Sequence, residues 1–330
     1  MKRISVVVPV YFNAATLAPL LERLRAVAAE LSAFEFEFVF VDDGSGDESF
    51  AVLGEEGRRD PRVRALRLSR NFGSNAAILA GLTHASGDGV VVLAADLQDP
   101  PELIPDLVAA WQDGAEVVLA ARRSRDDPPL SRFFASAFNR LFRRLVFADF
   151  PRGGFDVLLL SRRVASVLVE MGERNSYIFG QALWVGFERR VIEYDRARRA
   201  DGRSRWTLMK KAKYFIDAFT AFSYVPIRAA SLLGFVLALA GFGYAGVVVV
   251  LRLAGAIGDA PGFTTLTVLI LVAAGIQLIV IGLIGEYLWR VLEESRRRPA
   301  FLVESTLNFE PQEGASLERT AAPETARSAS

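Results

Sequence analysis

Two stretches near the C-terminus carry no charged side chain, one between Arg228 and Arg252 and one between Asp259 and Glu286. Each exceeds the roughly 20 residues that an α-helix needs to cross the core of a bilayer. Buried helices of soluble domains are usually shorter, so two membrane spans are expected, at about 229–252 and 263–286. A soluble helical hairpin is the alternative. The stretch between the runs, Leu253 to Phe263, contains Asp259 and no Lys or Arg, whereas Arg228, Arg290 and Arg296-Arg297-Arg298 flank the outer ends. The positive-inside rule then puts the short loop outside, and both the long N-terminal part and the C-terminal tail in the cytoplasm.

Upstream, short apolar runs alternate with helix-period segments, the pattern of a doubly wound parallel sheet covered by helices. Ile4 to Val10, Glu37 to Val41, Arg62 to Leu68 and Gly89 to Ala95 read as strands, and Leu17 to Leu31, with leucines at helical spacing, as a connecting helix. A fifth strand, Glu116 to Ala121, follows a helix opened by Asp99-Pro100-Pro101-Glu102, where Asp is a good N-cap and Pro is tolerated in the first turn. Met1-Lys2-Arg3 runs straight into the first of these strands, which is too short for the apolar region of a signal peptide. Beyond Arg122 come an Arg-rich helical stretch, Ser131 to Phe147, and a Gly-bearing segment, Pro151 to Leu160. From Trp206 to Tyr224, aromatic residues mix with lysines as in a helix lying in a membrane interface. The resulting division is an α/β domain over 1–203, an interfacial amphipathic region over 204–225, two spans within 226–290, and a basic segment with a tail over 291–330. Glu304 to Ser330 is polar and poor in apolar residues, so it is expected to be disordered and without chemistry.

The absence of cysteine excludes a disulfide, a thiolate nucleophile and Cys-ligated zinc. A net charge of +1 excludes no partner, but Lys210-Lys211-Lys213 and the triple arginine can meet anionic headgroups. The expected partner surface is a lipid bilayer and not nucleic acid. Whether the chain forms a homo-oligomer is left open. One histidine, His84, has no partner motif for a triad or a metal and reads as structural. In the second apolar run Gln277 can join helices by a hydrogen bond, and Glu286 marks its interfacial end.

Three polar loops follow strands, and the open ends of parallel strands are where α/β sheets bind ligands. They are Pro9-Val10-Tyr11-Phe12-Asn13, Val41-Asp42-Asp43-Gly44-Ser45-Gly46-Asp47 and Asp96-Leu97-Gln98-Asp99-Pro100-Pro101-Glu102. A carboxylate accepts hydrogen bonds from a base or a ribose, and a carboxylate with an amide oxygen can hold a magnesium or manganese ion on a diphosphate. Taken singly, the second loop is an ordinary turn and the third an ordinary helix start. Together, in this order, they resemble glycosyltransferase family 2, in particular its polyprenyl-phosphate branch, over most of residues 4 to 303. Further segments carry the resemblance: Ser69-Arg70-Asn71-Phe72-Gly73 with Ala76 to Gly81, Arg199 to Trp206, and Gly285-Glu286-Tyr287 through Arg297-Arg298-Pro299.

The resemblance implies a GT-A (Rossmann-like) nucleotide-sugar-binding domain followed by a two-helix transmembrane hairpin. It also implies a UDP- or GDP-linked sugar as donor, polyprenyl phosphate as acceptor, Mg2+ or Mn2+ as cofactor, and inversion at the anomeric carbon. By the same resemblance Pro9, Tyr11, Asn13, Asp42, Asp43, Arg70 and Asp96 stand at donor contacts, and Asp96 and Gln98 at the metal. The chain departs from the family at one point, reading Ala94-Ala95-Asp96-Leu97-Gln98 where members usually have Asp-Ala-Asp-Leu-Gln. Arg122, Arg132, Ser136, Arg199 and Arg205 resemble the groups around the lipid phosphate, Arg205 standing where lysine is usual. Arg196 lies in the same family segment as Arg199 and Arg205. Arg123, Arg125, Arg140, Arg143 and Arg144 are close by in sequence, so a basic helix facing headgroups is the competing reading. Asp96, Arg122 and Asp156 are the candidate catalytic residues, although Asp156 in Gly153-Gly154-Phe155-Asp156 can equally cap a turn.

The chemistry expected is an in-line displacement of nucleoside diphosphate by a lipid phosphate, which is largely ionised at neutral pH because its second pKa is about 6. A strong general base is therefore unnecessary, and none is evident. Two other classes compete. A polysaccharide synthase would have more spans and a Gln-x-x-Arg-Trp motif, and neither is present. A membrane scaffold on a degenerate transferase fold has Ala94 as its best support.

Overall fold

The computed structural model describes residues 1–123, 140, 143, 144, 147, 150, 151, 153–173, 177–195, 225–255, 263–296 and 298–309. The N-terminal elements are β1 (Lys2–Val10), α1 (Ala14–Glu30), β2 (Phe34–Asp42), α2 (Ser49–Arg59), β3 (Val63–Leu68), α3 (Ser74–His84) and β4 (Gly89–Val92). A 3-10 turn, Pro101–Leu103, leads into α4 (Ile104–Gln112) and β5 (Val117–Arg122). After them come β6 (Phe155–Ser161), α5 (Arg162–Met171), α6 (Ile178–Trp184), β7 (Arg189–Tyr194), α7 (Val225–Leu253), α8 (Phe263–Ser295) and β8 (Val303–Leu307).

The strands form one sheet in the order β7-β5-β6-β4-β1-β2-β3-β8. The four expected β-α-β strands are parallel neighbours, β1 lying between β2 and β4, and β2 beside β3. Strands buried on both faces read as continuous apolar runs, which is why Ile4 to Val8 shows so little alternation. Ile4, Val6 and Val8 face Leu17, Leu20, Leu21 and Leu24 of α1, while Val7 faces α3 and its neighbours on the other side. Each fully buried Leu contributes about 1.5–3 kcal/mol by leaving water, so the four leucines fix α1 to the sheet.

The structure corrects the sequence reading in three places. The sheet is mixed, because β6 runs antiparallel to both β4 and β5, and β8 antiparallel to β3. The strand expected over Gly89 to Ala95 ends at Val92, where the chain turns out into the Asp96 loop. Glu304 does not begin a disordered tail. Val303–Leu307 is β8, and Asn308 follows it with φ 57, its Nδ2 donating to the carbonyls of Gly57 at 2.8 Å and Val63 at 2.9 Å. Phe301 and Phe309 sit against His84, with ring centroids 6.5 and 5.6 Å away, and His84 Nδ1 lies 2.8 Å from the Ala80 carbonyl oxygen. Its surroundings are those of a packing residue.

Helices α7 and α8 bracket the two charge-free runs, and α8 continues nine residues beyond Glu286. Among the described residues one helical window, Val272–Trp289, is long and apolar enough to cross a membrane, with a mean hydropathy of 1.7 and 0% of it buried. A shorter apolar stretch, Ala230–Tyr244, lies in α7.

Candidate active site at the strand ends

The loops that follow β1 and β2 are laced together by small polar side chains. Phe12 N donates to Ser45 Oγ and Asn13 N to Ser49 Oγ, each at 3.0 Å, and Tyr11 N donates to Asn13 Oδ1 at 3.0 Å. Phe12 has a φ of 58, a turn that sets its ring edge-on to that of Tyr11 at 4.7 Å. Tyr11 is exposed, and Pro9 and Asn13 are half-buried. These three form an accessible rim.

The carboxylates of the second loop have internal tasks. Asp42 is fully buried and accepts from Ser45 N at 3.1 Å; burial raises its pKa, with its bonds to Ser45 opposing. Asp43 accepts from Phe72 N at 2.7 Å through Oδ1 and from Gly73 N at 2.9 Å through Oδ2. Burial pushes its carboxyl up to about 6, against the two amide bonds that favour the charge. Asp43 thus clamps the loop that carries Arg70, whose exposed guanidinium lies 4.1 Å from the Phe72 ring. Gly44 is required at this contact, because its φ is 66 and a Cβ there would lie 2.6 Å from the Arg70 carbonyl carbon. Behind Asp42 stands Arg67, with Nε 3.7 Å from Asp42 Oδ2 and 3.5 Å from Glu304 Oε2 of β8.

In the loop after β4, Leu97 has a φ of 59, an uncommon conformation for a branched side chain, and Asp96 Oδ1 accepts from Gln98 N at 3.2 Å. Asp96 and Gln98 are both half-buried, and Thr16 Oγ1 ties the loop to α1 by donating to the Ala95 carbonyl at 2.7 Å. Among the described residues no three His, Asp or Glu side chains gather as a metal cage. One carboxylate with an amide oxygen fits a cation that arrives on a diphosphate, since magnesium usually keeps waters and phosphate oxygens and needs only one or two carboxylates.

Arg122 ends β5 beside Tyr194, which ends β7, in parallel register. A bulge in the β5–β6 pairing sets Ala120 opposite Val157 and Ala121 opposite Phe155, leaving Asp156 as the extra residue. The bulge reverses the alternation, for Val157 faces one core and Phe155 the other. Asp156 makes an ion pair with the buried Arg122. Gly153 has no room for a side chain, since a Cβ would run into the Arg122 carbonyl, and Arg122 N donates to the Gly154 carbonyl at 3.2 Å.

Residues 5–162 match the model of glycosyl transferase family 2. An uncharacterised glycosyltransferase of Bacillus subtilis (strain 168) is 36% identical over 93% of this chain and 94% of its own length. The chain belongs to glycosyltransferase family 2. The bactoprenol glucosyl transferase of Shigella phage SfV is likewise 36% identical, over 92% of this chain and 98% of its own. An uncharacterised glycosyltransferase of Synechocystis is 34% identical over 93% of this chain. A solved mannosyltransferase from Pyrobaculum calidifontis, in complex with GDP-Man and Mn2+, shares 17% identity at a TM-score of 0.49 over 85% of this chain and 83% of that one, too loose a likeness to assign residues.

In this glycosyltransferase the mixed α/β sheet is GT-A-like, and Pro9, Tyr11, Asn13, Asp42, Asp43, Arg70, Asp96, Gln98, Arg122 and Asp156 all lie on loops or strand termini at one end of it. Arg132, Ser136, Arg196, Arg199 and Arg205 lie outside the described residues. Sequence reasoning missed Arg67, Tyr194 and Glu304. Tyr194 had a usable signal, the strand-like run Arg189 to Tyr194 leading into the family segment, whereas Glu304 sits in a stretch too polar to announce a strand.

Proposed function

We propose that this glycosyltransferase moves a sugar from a UDP- or GDP-linked donor to a polyprenyl phosphate, with inversion, at the cytoplasmic face of a bilayer. The observation that carries the reading is the 36% identity to a bactoprenol glucosyl transferase across 92% of this chain, which takes in the C-terminal helices as well as the strand-end loops. In this reading α7 and α8 are two spans joined by an outside loop, with the α/β domain and the C-terminus in the cytoplasm. The interfacial region expected over 204–225 lies, apart from Val225, outside the described residues.

Pro9, Tyr11, Asn13 and Arg70 hold the nucleotide, on a loop pair that Asp42 and Asp43 keep in shape. A divalent cation, Mg2+ or Mn2+, held by Asp96 and Gln98 on the diphosphate, supplies charge neutralisation for the leaving group. Arg132, Ser136, Arg199 and Arg205 hold the lipid phosphate, arginine offering the fork that a phosphate needs. Arg122 orients Asp156 toward the sugar. An oxygen of the lipid phosphate forms the new bond to the anomeric carbon as the bond to the nucleoside diphosphate breaks, and positioning and charge stabilisation supply most of the rate.

The test is incubation of the full-length protein with undecaprenyl phosphate and a panel of UDP- and GDP-sugars, with Mg2+ or Mn2+ and then with chelator. A glycosylated lipid is expected from one donor and is lost on chelation. No lipid product with any donor overturns the reading, and chelator-insensitive transfer overturns the metal. Ala94 favours a second reading, a catalytically impaired scaffold, which absence of nucleoside diphosphate release with every donor would support.

A further inference from the structure

One helix, α1, backs two of the loops that frame the candidate site. Thr16 lies in its first turn, and Thr16 Oγ1 stands 2.7 Å from the Ala95 carbonyl oxygen and 3.0 Å from that of Asn13. A hydroxyl has one proton to give. The Asn13 carbonyl already accepts from Thr16 N at 2.9 Å, and the Ala95 contact is the shorter of the two, so the proton goes to Ala95. Arg23 comes seven residues later, about two helical turns, and so lies on the same stripe of α1. Its guanidinium meets Glu102 at the far end of the loop, with Nε 2.9 Å from Oε1. Ala95 and Glu102 are thus both fastened to α1, with Asp96 and Gln98 in the span between them.

The Thr16 bond acts on Asp96 through the backbone. A peptide unit is planar, so holding the Ala95 oxygen also fixes the nitrogen and Cα of Asp96. The chain then passes through Leu97 at φ 59, and Gln98 N donates back to Asp96 Oδ1 at 3.2 Å. A left-handed backbone at a branched residue persists only where its surroundings hold it, and the bond to the carbonyl two residues earlier is one such restraint. The Arg23–Glu102 pair is exposed and holds weakly, whereas Thr16 is half-buried. With Ala94 where family members usually have aspartate, the loop offers a cation one carboxylate fewer, so more depends on where Asp96 is held.

We infer that Thr16 is a positioning residue whose hydroxyl, through the Ala95 carbonyl, keeps the Asp96–Gln98 turn in the form that receives a divalent cation on a diphosphate. The inference rests on the proposed cation role of Asp96 and Gln98. Its consequence is selective. The bond from Thr16 N to the Asn13 carbonyl is backbone and survives substitution, so the nucleotide rim at Tyr11, Asn13 and Arg70 keeps its shape while the cation loses affinity.

The test is binding of UDP and of GDP to the full-length protein, each measured by calorimetry in Mn2+ and in EDTA, for wild type, Thr16→Val and Thr16→Ser. The quantity read is the factor by which Mn2+ tightens the nucleotide. Valine keeps the branched shape without the donor, and the factor is expected to shrink about fivefold, the worth of one neutral hydrogen bond, with Kd in EDTA within twofold of wild type. Serine restores the hydroxyl and should restore the factor. A thermal melt accompanies each variant, and Thr16→Ala, read in the same way, replaces Thr16→Val if valine prevents folding. An unchanged factor without the hydroxyl, an equal loss in Thr16→Ser, or weakening of the same size in EDTA overturns the inference alone. A wild-type protein whose binding of both nucleotides is indifferent to Mn2+ overturns the proposed cation site and this inference with it.

Discussion

Asn308 is one side chain that fastens the C-terminal strand, and its replacement tests whether β8 belongs to the catalytic domain. Its Nδ2 bridges the carbonyls of Gly57 and Val63, at 2.8 and 2.9 Å, from a backbone with φ 57. Two hydrogen bonds at about 1 kcal/mol each make roughly 2 kcal/mol. Alanine additionally adopts the left-handed region at a cost of about 1–2 kcal/mol, which asparagine largely avoids and glycine does not incur. Asn308→Ala should therefore lose about 3–4 kcal/mol. Asn308→Gly should lose about 2–3 kcal/mol, the excess over the two bonds being the extra freedom of an unfolded glycine. Because edge strands can open without global unfolding, the suitable assay is amide hydrogen exchange across β3. Faster exchange at Ala65 and Arg67 is expected, larger for alanine than for glycine, alongside a urea midpoint measured in detergent. An Asn308→Ala protein within about 0.5 kcal/mol of wild type would refute the reasoning, and a glycine variant as damaged as the alanine one would refute its backbone part.

Gly153→Ala would drive a methyl into the Arg122 carbonyl; overpacking of this kind costs about 1–3 kcal/mol, and transfer should fall at least tenfold with Arg122 displaced, checked by kcat beside a thermal melt. Asp43 has a folded pKa raised to about 6 from an ordinary 3.8, so its contribution to stability is fully present below 3.8 and is lost as pH rises through about 6. The full swing is on the order of 3 kcal/mol, and Asp43→Asn should flatten the stability profile between pH 4 and 6 in urea titrations at several pH values. Arg67→Met removes the cation 3.7 Å from Asp42; the arginine is partly exposed, so the loss should stay near 1 kcal/mol, about fivefold in donor affinity, read by nucleotide titration.

The N-terminal half of the fold was legible because its signals are local. Ile4 to Val10 is a continuous apolar run, Leu17 to Leu24 repeats at helical spacing, and the Asp42-Asp43 turn follows a strand. Parallel strands with crossover helices follow from that alternation. The antiparallel pairings were not legible, since Phe155 to Ser161 is as apolar as a parallel strand and its direction is set by distant partners, β4 and β5. Strand β8 was hidden by its edge position, where Glu304 and Thr306 read as tail. The resemblance to family 2 singled out side chains that the fold gathers at one end of the sheet. Asp42 and Asp43 stand at donor contacts by that resemblance, and the fold adds that Asp42 Oδ1 accepts from Ser45 N while Asp43 accepts from Phe72 N and Gly73 N. The Asp43 bonds join loops distant in sequence, so no local pattern announces them.

The placement of β8 also changes what the apolar C-terminal helices are attached to. The chain leaves the sheet after β7, one edge strand, and returns after α8 as β8, the opposite edge. The outgoing connection, 195–224, is long, whereas the return from Ser295 to Val303 has Arg296 to Leu302 between. A segment that short reaches no more than about 25 Å even when fully extended. The end of α8 is therefore tethered close to β3 and β8, where Arg67 lies between Glu304 and Asp42, the carboxylate that shapes the second loop. A cut near Arg205 would remove more than the helices, because it would also strip β3 of its partner and Arg67 of Glu304. The sheet is thus completed by a strand that follows the apolar helices, so under the proposed function membrane attachment and the shape of the second loop depend on the same C-terminal segment.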